Sequence, residues 1–130
     1  ALAGEQPLPG AVRIAPGGAH LRRGPDGRLE LDRVTPARRG HRPSADELFL
    51  SLEQGTAQRV VAVLLTGMGT DGAEGLRELR RAGALCFAQD EASSAVFGMP
   101  RAAIELGAAE LVLAPSAIGA EIARRLREAR

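Results

Sequence analysis

Residues 60–66, VVAVLLT, form an unbroken apolar run rich in β-branched side chains, with no polar residue alternating through it. A strand with one face in water alternates. A strand covered on both faces does not, and such strands belong to parallel sheets flanked by helices. Two further short runs, Ala84–Ala88 and Glu110–Leu113, follow at intervals filled by segments of helical spacing. Strands alternating with helices predict an α/β domain with a mostly parallel, doubly wound sheet.

The helices have their own signals. Ser44 and Glu47 are spaced as a capping box, and Ala45, Leu48, Phe49 and Leu52 share one helical face, with Gly55 expected to end that helix. A second helix is expected from about Asp71 to Ala82, with Gly83 as its C-terminal cap. A short one should cover Pro100–Leu106. A last one should start from a Ser116 cap, carry an Ile118, Ile122 and Leu126 stripe, and end in arginines that suit its dipole.

Ahead of this α/β region, 44–130, residues 1–43 read as a smaller β and loop region of the same single domain. Val12–Ala15 is expected as a strand, and Leu21 to Leu31 as a hairpin about Pro25-Asp26-Gly27. Residues 36–43, PARRGHRP, read as a loop whose Arg38–Arg42 run is solvated, or else helps to meet an acidic partner.

Composition narrows the function classes. Seventeen basic and sixteen acidic residues leave a net charge of +1, which gives no electrostatic case for nucleic acid or a membrane surface. Phe49, Phe87 and Phe97 are the only aromatics, too few for a base-stacking platform. The longest apolar run falls far short of the roughly 20 residues that span a bilayer, and the N-terminus ALAGEQPLPG lacks the features of a secretory signal. The lone Cys86 sits in an apolar run and reads as a small buried hydrophobe, consistent with a reducing, cytoplasmic setting. No His, Cys, Asp or Glu cluster has ligand spacing, so neither metal nor cofactor is expected.

The segment that bears chemistry is Leu64 to Gly83, LLTGMGTDGAEGLRELRRAG. Thr66–Asp71 would stand at the carboxyl end of a strand, where open α/β sheets gather ligands. Gly67, Gly69 and Gly72 permit a tight turn, and N–H groups at the helix entrance suit an anion or a developing oxyanion. The same glycines match G-x-G-x-x-G, with Asp90 and Glu91 about 20 residues on, as a dinucleotide site requires. Asp71 opposes that reading, because its carboxylate would lie where the pyrophosphate should sit. Asp71 also stands three residues before Glu74, so it reads as the N-cap of its own helix. A carboxylate at a strand's exit is equally placed to orient a histidine, as the acid of a hydrolytic triad does.

This segment, with AQDEASSAVFGMPRAAIELGAAE after it and IAPGGAHL and HRPSADELFLS before it in order, resembles the catalytic domain of chemotaxis protein-glutamate methylesterases, the CheB family. The likeness runs from about Pro9 to Ile118 and covers the C-terminal part of that domain. It implies a doubly wound α/β fold and a Ser-His-Asp triad that hydrolyses glutamyl methyl esters on chemoreceptor helices, with glutamine deamidation in some members. By the same resemblance Asp71 matches the acid of the triad. The backbone N–H of Met68 matches the oxyanion site, with Gly67, Gly69 and Gly72 supporting the turn.

The family's nucleophile lies on a G-x-S-x-G type turn and its histidine on a Q-H-x-P turn, and this chain contains neither. Ser44, Ser51, Ser93, Ser94 and Ser116 lie outside any glycine-flanked elbow, and His20 and His41 match family positions without a catalytic role. The expectation is therefore a piece of a methylesterase domain, inactive alone, whose partners are chemoreceptor helices and a receiver domain or the remaining half. The alternatives are a degenerate receptor-binding module without chemistry and a dinucleotide-binding domain.

Overall fold

The structure, a computed structural model, describes residues 1–129, apart from the side chains of residues 53 and 54. In chain order the elements are β1 (His20–Arg23), β2 (Leu29–Asp32), α1 (Ala45–Ser51), α2 (Glu53–Thr56), a 3-10 turn (Ala57–Arg59), β3 (Val61–Leu64), α3 (Ala73–Arg81), β4 (Leu85–Gln89), α4 (Met99–Glu105), β5 (Leu111–Leu113) and α5 (Pro115–Glu128). The three apolar runs form one parallel sheet in the order β3-β4-β5. The α/β expectation holds.

Alternation along β4 sends its side chains to two different layers. Cys86 joins Leu64, Leu76, Leu79 and Ala103 in the core between the sheet and the helices α3 and α4. Phe87 points to the opposite face, where α5 packs and Ile118 is buried. Leu76 and Leu79 are wholly buried, each contributing about 1.5–3 kcal/mol of transfer free energy. Helix α3 ends as its sequence suggests: Gly83 takes φ +107°, and Ala84 N–H returns to Leu79 O at 2.9 Å.

Four local expectations need correction. Val12–Ala15 is not a strand, and Val12 and Ile14 are exposed. The outer edge of β2 is taken instead by Gly4 and Glu5, which exchange backbone hydrogen bonds with Leu29, so Val12–Ala15 has no ladder to join. Helix α1 stops at Ser51, and Gly55 lies within the short α2. Ser116 is inside α5 rather than its cap; Ala114 precedes the helix and Pro115 supplies the first turn. The expected stripe on α5 is buried only at Ile118, and Leu126 is exposed.

The hairpin forms as expected, with Arg23 opposite Leu29 and Gly24 N–H bonded to Arg28 O at 2.8 Å. It lies against α1, tied by Arg23 N–H to Ser51 Oγ at 3.0 Å. Arg22 is shared between Asp32 and Glu47, which joins hairpin to helix by charge. Burial pushes the Glu47 carboxyl up, but hydrogen bonding and charge from Arg22, helped by Arg38, hold it below its ordinary value. Among the described residues no helix is long and apolar enough to cross a membrane.

Candidate active site

The turn from Leu65 to Gly72 leaves β3 at its carboxyl end and is fastened on both sides. Thr66 N–H donates to Gln89 Oε1 at 2.7 Å, and its hydroxyl and the Val96 backbone exchange hydrogen bonds at 2.9 Å. Gly67 O accepts from Gly98 N–H at 3.1 Å and Met99 N–H at 2.8 Å, which docks the turn on the start of α4. A side chain at Gly67 would collide with Met99 Sδ, while Gly69 and Gly72 hold φ near +94° and +92°. The left-handed backbone at Gly69 and Gly72 thus favours glycine, while a side chain at Gly67 would have to displace that of Met99.

Asp71 does not cap its own helix. Gly72 precedes α3 and gives it no side-chain cap, and Glu74 turns away to Arg38 and Arg39. The Asp71 carboxylate serves α1 instead. Oδ1 accepts the Ser44 hydroxyl at 2.7 Å and Asp46 N–H at 3.2 Å, and Oδ2 accepts Ala45 N–H at 2.7 Å. The left-handed Gly72 turns the chain between Asp71 and α3, which separates the carboxylate from the helix it was expected to cap.

A carboxylate offers about four acceptor positions, and these three donors leave one on Oδ2. Asp71 is only 3% exposed, yet it lines a cavity of about 340 Å³ whose walls also include Leu21, His41, Pro43, Leu48 and Met99. The carboxylate is therefore buried at the wall of a cavity. Met68 is at the other extreme, 79% exposed at the crest of the turn. Among the described residues its backbone N–H meets no protein acceptor.

The two histidines play different parts. His20 is fully buried: its Nδ1 accepts Ser44 N–H at 3.2 Å, which makes Nε2 the donor to Pro36 O at 2.9 Å. Its ring positions a loop and a helix start. His41 is exposed at the cavity rim, with Nε2 placed 3.8 Å from where a side chain on Gly69 would begin. The arginine run beside it is an exposed loop from Arg39 to Arg42, as expected, with its charges engaged by neighbours. Arg38 reaches Glu47 and Glu74, Arg39 bonds Glu74 Oε1 at 2.6 Å, and Arg42 is held by the carbonyls of Arg33 and Thr35.

Among the described residues the start of α3 does not leave a free phosphate seat for a dinucleotide. In the first turn of α3, Gly75 N–H already donates to Asp46 Oδ1 at 2.7 Å, and Ala73 N–H to Thr70 O at 3.4 Å. A protein carboxylate stands where a pyrophosphate would have to bind. Asp90, the expected ribose partner, is engaged with Ser93. Among the described residues no three His, Cys, Asp or Glu side chains are grouped to share a metal ion.

The family model for CheB methylesterase matches residues 1–122. The chain belongs to the CheB methylesterase family. A protein-glutamate methylesterase, FrzG, from Myxococcus xanthus is 55% identical over 114 residues, which cover 88% of this chain and 34% of that protein. A protein-glutamate methylesterase/protein-glutamine glutaminase from Bordetella avium is 51% identical over 126 residues, 94% of this chain and 36% of its own length. The CheB methylesterase catalytic domain of Thermotoga maritima superposes with a TM-score of 0.81 at 36% identity, over 88% of this chain and 61% of that structure. The chain thus spans about a third of the length of the curated relatives it matches.

Sequence reasoning singled out Asp71, Met68, Gly67, Gly69 and Gly72, and the structure brings all five together in one turn. It missed two supports. Gln89 holds the turn to the end of β4, and Ser44, read only as a helix cap, also donates its hydroxyl proton to Asp71. The capping-box spacing accounted for the acceptor side of the Ser44 hydroxyl and left its proton unassigned.

Proposed function

We propose that this chain supplies the acid and part of the oxyanion site of a protein-glutamate methylesterase, whose serine and histidine lie outside it. The observation that carries the reading is the Asp71 carboxylate, fixed by three donors with one Oδ2 acceptor position left, on a residue that lines an open cavity. In that role Oδ2 accepts the imidazole N–H, holds the ring in its productive tautomer and stabilises the imidazolium as it forms. The Met68 N–H, at the crest of the same turn, donates to the oxyanion of the tetrahedral intermediate.

The substrate class is the side-chain carboxyl of glutamate carried as a methyl ester on the cytoplasmic helices of chemoreceptors. The names of several relatives add the glutamine amide as a second acyl group. The setting is the cytoplasm, with a receiver domain or the complementary half of the catalytic domain as partner. No cofactor takes part.

The test is methanol release from a methylated receptor fragment. The 130-residue chain alone should release none measurable, since loss of nucleophile and base together costs on the order of 10⁶ in turnover. In the full-length product that carries this chain, Asp71→Asn should lower kcat by about 10⁴. Unchanged turnover in Asp71→Asn would sink the reading. Receptor binding without hydrolysis by the full-length product would favour the degenerate module.

A further inference from the structure

We infer that Ser44 is a positioning residue for this esterase chemistry: its hydroxyl, donated to Asp71 Oδ1, aims the remaining Oδ2 acceptor position at the incoming imidazole. The inference rests on the reading of Asp71 as the triad acid.

Ser44 and Asp71 lie 27 residues apart in sequence and are both almost wholly buried, 2% and 3% exposed. A hydroxyl has one proton and two acceptor positions. Ser44 Oγ already accepts Glu47 N–H at 3.4 Å, so the Asp71 bond at 2.7 Å takes the single proton in a fixed direction. The Ser44 backbone cannot drift, because its N–H is held by the buried His20 ring, itself anchored on Pro36 O. A path of three residues therefore fixes the carboxylate at the wall of the cavity that Ser44 and Asp71 both line.

The other two donors do not suffice for this. Ala45 N–H binds Oδ2, the oxygen that must also receive the imidazole, and Asp46 N–H reaches Oδ1 only at 3.2 Å. Without the Ser44 hydroxyl, Oδ1 keeps its longer bond alone and the carboxylate plane is free to turn about the short one. A misplacement of 1 Å at a reacting group costs about 100-fold. A partial loss of aim should cost on the order of 10-fold in kcat with KM little changed, because Ser44 acts through the carboxylate and not on the ester.

The experiment is a double-mutant cycle in the full-length product, with turnover expressed per titrated nucleophilic serine so that a misfolded fraction does not count. Ser44→Gly removes the hydroxyl while keeping a residue tolerated at a helix N-cap, and Ser44→Thr restores the hydroxyl. Ser44→Gly should lower kcat about 10-fold with KM within about twofold, and Ser44→Thr should recover most of it. In an Asp71→Ala background, Ser44→Gly should leave the residual kcat unchanged, since it acts through that carboxylate. An unchanged kcat in Ser44→Gly, or an equal drop in both backgrounds, overturns the inference and leaves the triad reading intact. Full turnover in Asp71→Ala alone would instead remove the triad reading, and this inference with it.

Discussion

Asp46 Oδ1, in the first turn of α1, accepts Gly75 N–H of α3 at 2.7 Å, while Asp71, just ahead of α3, accepts the first amides of α1. Each helix start is capped by a carboxylate from the other's segment. The first amides of a helix carry partial positive charge and have no partner within it, so each carboxylate both satisfies donors and complements a dipole. The exchange fixes α1 against α3 and sets Asp71 at the cavity wall. Asp46 Oδ2 makes no hydrogen bond, but Arg38 Nε and Arg39 Nε each lie 3.8 Å from it, and their charge compensates a fully buried oxygen.

The close approach of these helices makes Gly75 intolerant of a side chain. A Cβ there would lie 2.8 Å from Phe49 Cβ and 3.2 Å from the Asp46 Cα. Overpacking of this kind costs about 1–3 kcal/mol, against a gain of up to about 1 kcal/mol in helix propensity. Gly75→Ala should therefore destabilise by roughly 1–2 kcal/mol in denaturant titration. Gly119→Ala in α5, where nothing lies within 4 Å, is the control and should stabilise by roughly 0.5–1 kcal/mol.

The sheet and helices were legible because they rest on periodicity within a few residues: the continuous apolar run at Val60–Thr66 and the Phe49 face of α1 need no knowledge of partners. The glycine-rich turn at the exit of β3 was legible because its signal is local to six residues. What failed depended on distant partners. Val12–Ala15 has strand composition, but Gly4 and Glu5 reach the free edge of β2 first. Asp71-x-x-Glu74 has the spacing of a capping box, but a left-handed Gly72 and the Ser44 hydroxyl redirect one carboxylate and two arginines the other. Spacing reveals which donors and acceptors a segment has, and not where their partners come from.

Acid should loosen the hairpin from α1. Asp32 is held well below its ordinary value by the Thr35 hydroxyl, the Thr35 and Val34 amides and Arg22, and Glu47 is lowered as described above. Both carboxyls are more acidic folded than unfolded, where they titrate near 3.9 and 4.3. Their stabilisation is complete above about pH 5 and is lost as pH falls through the lower folded values. Melting temperature should fall below about pH 4, and Asp32→Asn should flatten that fall. Equal pH slopes in the two proteins would contradict the assignment.

Cys86 should be chemically silent in the native protein. Burial raises its thiol to about 11, with Arg80 opposing and Glu110 adding, and its Sγ is enclosed near Leu76 O and Ala84 O. At pH 8 almost no thiolate forms and no reagent reaches it. A chromogenic disulfide reagent should register no thiol until denaturant is added, then one per chain. A fast native reaction would mean that β4 is exposed.

Strand β3 is one edge of the parallel sheet, and among the described residues its outer side pairs with no other strand. Val61 is 38% and Leu65 is 48% exposed, so an apolar row runs beside unpaired backbone groups. Such an edge is a template for another strand, and nothing on β3 blunts it: residues 61–64, VAVL, hold neither proline nor charge. The chain expressed alone should self-associate or stay soluble only with a complementing segment. Sedimentation velocity across a concentration series should show a mass that rises with loading, and Val61→Lys, which places a charge on the exposed end of the strand, should shift the distribution towards monomer. A monodisperse monomer that unfolds cooperatively at every concentration would show that β3 needs no partner.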